Sequence, residues 1–163
     1  HFVGYSASRA GRNLAPVHAG PREVADVLLP PFEMAVLDGG VGSVMNSYAE
    51  VDGVPPAADP ALLTDLLRGQ WGFTGVVVAD YFAVSFLETA HAIAGSPGEA
   101  AAMALAAGID VELPSVRCYG EPLAELVRSG QVDEAEQLAL RALEYFRKHG
   151  PLSPKRGQDN IPS

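Results

Sequence analysis

Short apolar runs rich in valine alternate along this chain with stretches in which apolar side chains recur every three or four positions, a pattern that predicts repeated strand–helix units. Four units can be read. The first opens with an extended segment over residues 1–5, crosses a loop rich in Gly, Asn and Pro, and enters a helix with Pro21 in its first turn. Pro30-Pro31 is expected to interrupt that helix, and a second one is expected over residues 32–37, stopped by Gly39-Gly40. The second unit is a strand over residues 41–48, followed by a helix over 60–68. Asp59 caps that helix, Pro60 lies in its first turn, and Leu62, Leu63, Leu66 and Leu67 form one stripe.

The third unit is the run Gly75-Val-Val-Val-Ala-Asp80, a short helix reaching His91, and a helix announced by Ser96-Pro-Gly-Glu99. That tetrad reads as a capping box, and Gly108 closes the helix. The fourth unit is a strand over residues 109–113, a helix near 122–128, and an amphipathic helix starting at Asp133 with Leu138, Ala142 and Phe146 on its apolar face. Beyond Gly150 the composition turns polar, and residues 151–163 are expected to form a poorly ordered tail.

Strands buried on both faces and separated by helices specify a parallel sheet. The expected class is therefore α/β. Two closures compete: a self-contained doubly wound sheet, and a (β/α)8 TIM barrel of which residues 1–150 form about four βα units. A whole barrel takes about 250 residues, so on this reading four further units lie upstream of His1. A start in mid-element agrees with that, and it implies that the natural N-terminus, with any targeting peptide, is absent.

Composition narrows the function classes. The chain has 163 residues, 48% of them apolar, enough for one domain with a real core, and no apolar run approaches the length of a membrane span. With 20 acidic against 11 basic residues the net charge is −9, which leaves no electrostatic footprint for nucleic acid. The single cysteine, Cys118, excludes an internal disulfide and reads as a structural thiol. Four scattered histidines offer no zinc spacing, and nothing calls for a metal or a cofactor.

Chemistry in parallel α/β folds collects at the C-terminal ends of strands. Asp80 stands there after four apolar residues, so its carboxylate cannot remain charged in the core and belongs at the mouth with partners. A nucleophile toward an anomeric carbon and a cap on the next helix are both open readings. Asp110 and Glu112, two apart, are expected on one side of their strand as a hydrogen-bond network or a second carboxylate site. Tyr48 is either a rim hydrogen-bond donor or a core aromatic; His18, His91 and His149 are expected on loops or helix surfaces, and Trp71 in packing. Gly39-Gly-Val-Gly42 precedes a strand instead of following one, so it is no dinucleotide fingerprint. Neither a P-loop nor a Gly-x-Ser-x-Gly elbow occurs, and the only lysines are Lys148 and Lys155.

An ordered set of segments carries a family resemblance: His1-Phe with Gly4-Tyr5, Gly11-Arg-Asn-Leu-Ala-Pro16, Leu29-Pro-Pro-Phe-Glu33, and Ser43-Val-Met-Asn-Ser-Tyr48 with Asp52-Gly53. Trp71-Gly-Phe-Thr-Gly75, Val77-Val-Ala-Asp80 and Ala107-Gly-Ile-Asp-Val-Glu-Leu-Pro114 complete it. Together they resemble glycoside hydrolase family 3, the β-glucosidase and β-xylosidase family. The resemblance implies the C-terminal half of the family's barrel, with Asp80 as nucleophile, His1 as the second member of a Lys-His pair that binds sugar hydroxyls, and Met45 and Tyr48 near the innermost sugar. Ala79 and Tyr81 stand where many relatives have Ser and Trp, so Tyr81 is the candidate subsite wall. After Val132 the family's usual ending is replaced by Leu143-Glu-Tyr-Phe-Arg-Lys-His149.

The implied partner is a small β-linked oligosaccharide or glycoside. The implied reaction is retaining hydrolysis of terminal β-glucosyl or β-xylosyl residues, with the acid/base on a downstream domain. The missing half-barrel and that domain would leave this chain alone nearly inactive. A non-catalytic carbohydrate-binding or assembly module on the same half-barrel is the alternative.

Overall fold

A computed structural model of the chain describes residues 1–130. The helix expected from Asp133, the segment around His149 and the tail over 151–163 lie outside the described residues. At the centre, strand β1 (Ser43–Met45) pairs in parallel with β2 (Val76–Val78), Val44 facing Val77. Single parallel pairings extend this array on both sides, Phe2 with Asn46 and Val78 with Val111. The spatial order thus follows the chain order, with no reversal. A flavodoxin-like sheet would place its first strand between its second and third, and that arrangement is absent among the described residues.

The paired stretches are shorter than the sequence predicts, and the backbone shows why. Beyond the single Phe2 pairing the chain already turns at Val3-Gly4, with Gly4 at φ 89°, and enters a 3-10 turn over Tyr5–Ala7. The backbone bonds nonetheless run past the named strands: Phe2 N–H to Met45 O at 2.7 Å, Ser47 N–H to Phe2 O at 2.7 Å, and Ala79 N–H to Val111 O at 2.8 Å.

Helix α1 (Pro21–Glu23) widens into a π-wound segment over Val24–Leu28. As expected, the helical run breaks at the Pro30-Pro31 pair: the first segment ends at Leu28 and a second helix, α2, runs Pro30–Leu37, starting two residues earlier than predicted because prolines fit a first turn that needs no intrahelical N–H. A π-helix follows over Ala61–Gln70, wider than the expected α-helix, with Asp59 Oδ1 accepting the Leu62 N–H at 3.2 Å and Trp71 N–H reaching Leu66 O at 3.0 Å. Its leucine stripe behaves as predicted, with Leu62, Leu63 and Leu67 buried. Helix α3 spans Ala83–Thr89, α4 Pro97–Ala107 and α5 Glu121–Arg128. The Ser96 hydroxyl caps α4 at the Glu99 N–H, and Glu99 reaches back to the Gly95 N–H. Gly108 closes α4 at φ 117°, where a Cβ would meet Thr64 Oγ1 at 2.9 Å.

One core joins these elements. Phe2, Leu63, Leu67, Val77, Val84, Leu87 and Ile109 are wholly buried, and Ala100, Ala101, Ala104 and Ala107 let α4 lie close against them. Trp71 packs on this core with its ring 5.8 Å from that of Phe2, the packing role read from sequence. No helix among the described residues is long and apolar enough to cross a membrane.

Candidate active site

Asp80 lies two residues beyond the end of β2, 9% exposed, and every polar atom near its backbone is held. Its N–H donates to Asn46 Oδ1 at 3.0 Å and its carbonyl accepts the Ala83 N–H at 2.9 Å. Oδ1 of the carboxylate accepts the Tyr81 N–H at 2.7 Å, and Oδ2 lies 3.0 Å from His1 Nε2. The side chain therefore does not cap α3: that helix has Phe82 at its N-cap position, without a side-chain cap. Of the two readings open in the sequence, the geometry removes the helix cap. What remains is a carboxylate at a strand end, facing a histidine from the neighbouring chain segment.

The turn beyond Asp80 is strained. Phe82 adopts φ 66°, a left-handed conformation that costs a bulky residue about 1–3 kcal/mol. Two contacts hold it: Phe82 N–H donates to Leu113 O at 2.8 Å, and the Tyr48 hydroxyl donates to Tyr81 O at 2.5 Å. Burial first, and the adjacent Asp80 carboxylate second, push the Tyr48 phenol well above its ordinary pKa. It thus stays a neutral hydroxyl donor at any working pH.

His1 stacks on Tyr5 with ring centroids 4.4 Å apart, and the Tyr5 hydroxyl donates to Asn13 Oδ1. Tyr81 is 55% exposed, so its ring is free at the rim. Met45 is half-buried on β1 and lines an apolar cavity of about 190 Å³ together with His1, Phe2 and Phe32. The structure so gathers His1, Tyr48, Asp80 and Tyr81 around one carboxylate, with Met45 adjoining through the His1 cavity.

Asp110 and Glu112 part company. Asp110 Oδ2 accepts from the Val77 N–H at 2.7 Å and from Arg68 Nη2 at 2.5 Å, while Arg68 also donates to Gly75 O and Gly108 O. This cluster ties the start of β2 to the end of α4. Glu112, 6% exposed, folds onto its own downstream loop and accepts the N–H groups of Arg117, Cys118 and Tyr119 at 2.9–3.0 Å. Both carboxylates are consumed by structure, so the shared-side network expected from their spacing does not form. Each side chain bonds to a different backbone segment.

His91 lies on a loop, as expected, but with a structural bond that the sequence does not reveal. Its ring is buried, with Nδ1 2.9 Å from Glu50 Oε1, and it ties the loop after α3 to the loop after β1. His18 is exposed as expected, and His149 lies outside the described residues. The sequence reading also assigned no role to Asn46, although it lies in a quoted motif. The available signal was an amide side chain directly after the apolar pair Val44-Met45 at a strand end. No cluster of three metal-ligating side chains exists among the described residues.

Cys118 is buried, and burial together with the Glu112 carboxylate pushes its thiol up to about 12. A folded pKa above the unfolded one means the folded state holds its proton longer. The associated stability is fully present below about pH 9 and is lost as pH rises toward about 12. In the folded protein at pH 8, Cys118 is expected to react with a thiol reagent roughly 100-fold more slowly than in urea. Equal rates in the two states would show the thiol to be accessible and ionised.

The profile of the glycosyl hydrolase family 3 N terminal domain matches residues 1–141. A β-xylosidase of Formosa agariphila is 45% identical over 113 residues, covering 69% of this chain and 16% of that protein. A periplasmic β-glucosidase of Salmonella typhimurium is 35% identical over 136 residues, covering 83% and 17%. Among solved structures, a β-glucosidase of Erythrobacter marinus superimposes with a TM-score of 0.83 at 46% identity, over 89% of this chain and 19% of that one. A Listeria innocua β-glucosidase in complex with glucose gives 0.80 at 33%, over 90% and 20%. The chain spans about a sixth of the length of the curated relatives it matches.

Proposed function

Because the chain belongs to glycosyl hydrolase family 3, we propose that it forms part of the catalytic barrel of a retaining β-glycosidase in which Asp80 is the nucleophile. The observation that carries this reading is the Asp80 carboxylate itself: it sits beyond the end of a parallel strand, faces His1 at 3.0 Å, and caps no helix. The sequential order of the parallel segments supports a (β/α)8 barrel over a doubly wound sheet. The names of its relatives support terminal β-glucosyl or β-xylosyl residues as substrate, and the Listeria innocua β-glucosidase in complex with glucose supports a sugar as ligand.

In the proposed reaction a lone pair of the Asp80 carboxylate attacks the anomeric carbon. The bond from that carbon to the leaving oxygen breaks, and a carboxylic acid gives its proton to that oxygen. Water, activated by the same acid/base group, then displaces Asp80 and restores the starting configuration. Retention of this kind needs the two carboxyl groups about 5–5.5 Å apart. The carboxylates of the fourth unit, Asp110 and Glu112, are already bound to backbone and to Arg68. The family resemblance implies an acid/base on a downstream domain, and the chain alone is accordingly expected to be nearly inactive.

Within this scheme His1 binds the sugar's hydroxyls beside the nucleophile, Tyr48 fixes the turn that carries it, and Met45 and Tyr81 line the subsite. A 2-fluoro-glycoside offered to the full-length protein should leave its sugar on Asp80, identified by peptide mapping. Label on another carboxylate would overturn the assignment. Sugar binding without hydrolysis, unaltered in Asp80→Ala, would favour a binding module instead.

A further inference from the structure

Asn46 is wholly buried at the end of β1, between the segment that carries His1 and the strand that carries Asp80. A buried amide must have its donors and acceptor matched, and this one does so in a single orientation. Its Nδ2 donates to Ser47 O at 2.8 Å and its Oδ1 accepts the Asp80 N–H at 3.0 Å, so exchanging the two ends would set donor against donor at Asp80 and acceptor against acceptor at Ser47. The Asn46 backbone N–H reaches Val78 O at 3.4 Å. In a regular parallel ladder the Asp80 N–H would next bond to the Asn46 backbone carbonyl. It bonds to the side chain instead.

We infer that Asn46 is a positioning residue for the Asp80 carboxylate: its side-chain oxygen replaces a ladder carbonyl, parts β1 from β2 at the mouth, and fixes the backbone from which the carboxylate is aimed at His1. The inference rests on the reading of Asp80 as nucleophile. Its mechanism is geometric, since Asn46 touches no reacting atom. Misplacement of a reacting group by about 1 Å costs up to roughly 100-fold in rate.

The test compares Asn46→Ala, Asn46→Leu and Asn46→Asp in the full-length protein, with Asp80→Ala as the control for the underlying reading. Asn46→Ala and the nearly isosteric Asn46→Leu both lack the acceptor. They are expected to lower kcat about 30- to 100-fold with KM within about threefold, and to slow 2-fluoro-glycoside labelling equally. Asn46→Leu carries this arm should the alanine variant not fold. Asn46→Asp keeps an acceptor for the Asp80 N–H, and when protonated it also restores the donor to Ser47 O; burial beside Asp80 favours that neutral form. Its kcat should exceed that of Asn46→Leu by at least about tenfold at the acidic end of the activity range, a rescue that general loosening of the core would not produce.

Wild-type kcat in Asn46→Leu, or an Asn46→Asp variant as slow as Asn46→Leu at every pH, would overturn the inference. An active Asp80→Ala variant would instead sink the nucleophile reading. An inactive one beside unimpaired Asn46 variants would remove only the positioning role.

Discussion

Asp80→Ala in the full-length protein is expected to lower kcat on the order of 10⁴-fold while leaving the fold in place, since loss of a nucleophile removes the step on which both halves of the reaction depend. The local structure explains why fold and activity separate. The two backbone bonds at position 80, to Asn46 Oδ1 and from the Ala83 N–H, need no side chain and survive the substitution. What is lost is the carboxylate's contact with the Tyr81 N–H and with His1, whose side chain is 36% exposed and regains water. The stability cost should accordingly stay near about 1 kcal/mol. Azide, small enough to occupy the vacated space, should restore turnover and release the glycosyl azide of inverted configuration, because it attacks the face from which Asp80 would have attacked. Hydrolysis within tenfold of wild type, or rescue without inversion, would rule out Asp80 as nucleophile.

The second large effect is on stability. Removing the Glu112 side chain strips the acceptor from the N–H groups of Arg117, Cys118 and Tyr119, of which Cys118 is buried and Tyr119 half-buried. Leaving such N–H groups unsatisfied costs about 1–3 kcal/mol each, together enough to lower the Tm of a chain of this size by roughly 10 °C. Glu112→Ala should show that loss by calorimetry, and Glu112→Gln about half of it. The amide oxygen can still serve Oε2's three donors, while the amide nitrogen faces the Cys118 N–H that Oε1 now shares. Loosening also reaches the candidate site, because Leu113, the residue after Glu112, supplies the carbonyl that holds Phe82 in its left-handed turn. Cys118 should then become reactive near neutral pH, as the fold around it opens and the neighbouring carboxylate is gone. An unchanged Tm in Glu112→Ala would show that water satisfies those N–H groups.

Much of this architecture was legible along the chain. The Ser96–Glu99 capping box, the Gly108 stop, the Asp59 cap and the leucine stripe all act within a few residues, so periodicity and capping chemistry specify them. The Pro30-Pro31 pair marks the break between the first helix and α2, as its chemistry predicts, although α2 begins at Pro30 itself because prolines fit a first turn. Strand lengths were overestimated. Apolar runs measure burial, whereas pairing depends on where neighbouring segments diverge.

Asp80, with which the functional reading began, marks the boundary most clearly. The sequence by itself determined that a carboxylate follows a four-residue apolar strand and must sit at its mouth, and the family motifs around it narrowed the chemistry. Tertiary structure alone decided that this carboxylate faces His1 instead of capping α3, that its backbone hangs on Asn46, and that Glu112 serves its own loop. The same holds for His91 against Glu50 and Asp110 against Arg68, partners some forty positions apart. Local patterns arise from the repeat of one element and can be read from neighbours. Which buried donor meets which acceptor depends on how separate elements pack, and packing brings together residues whose separation in sequence carries no periodic signal.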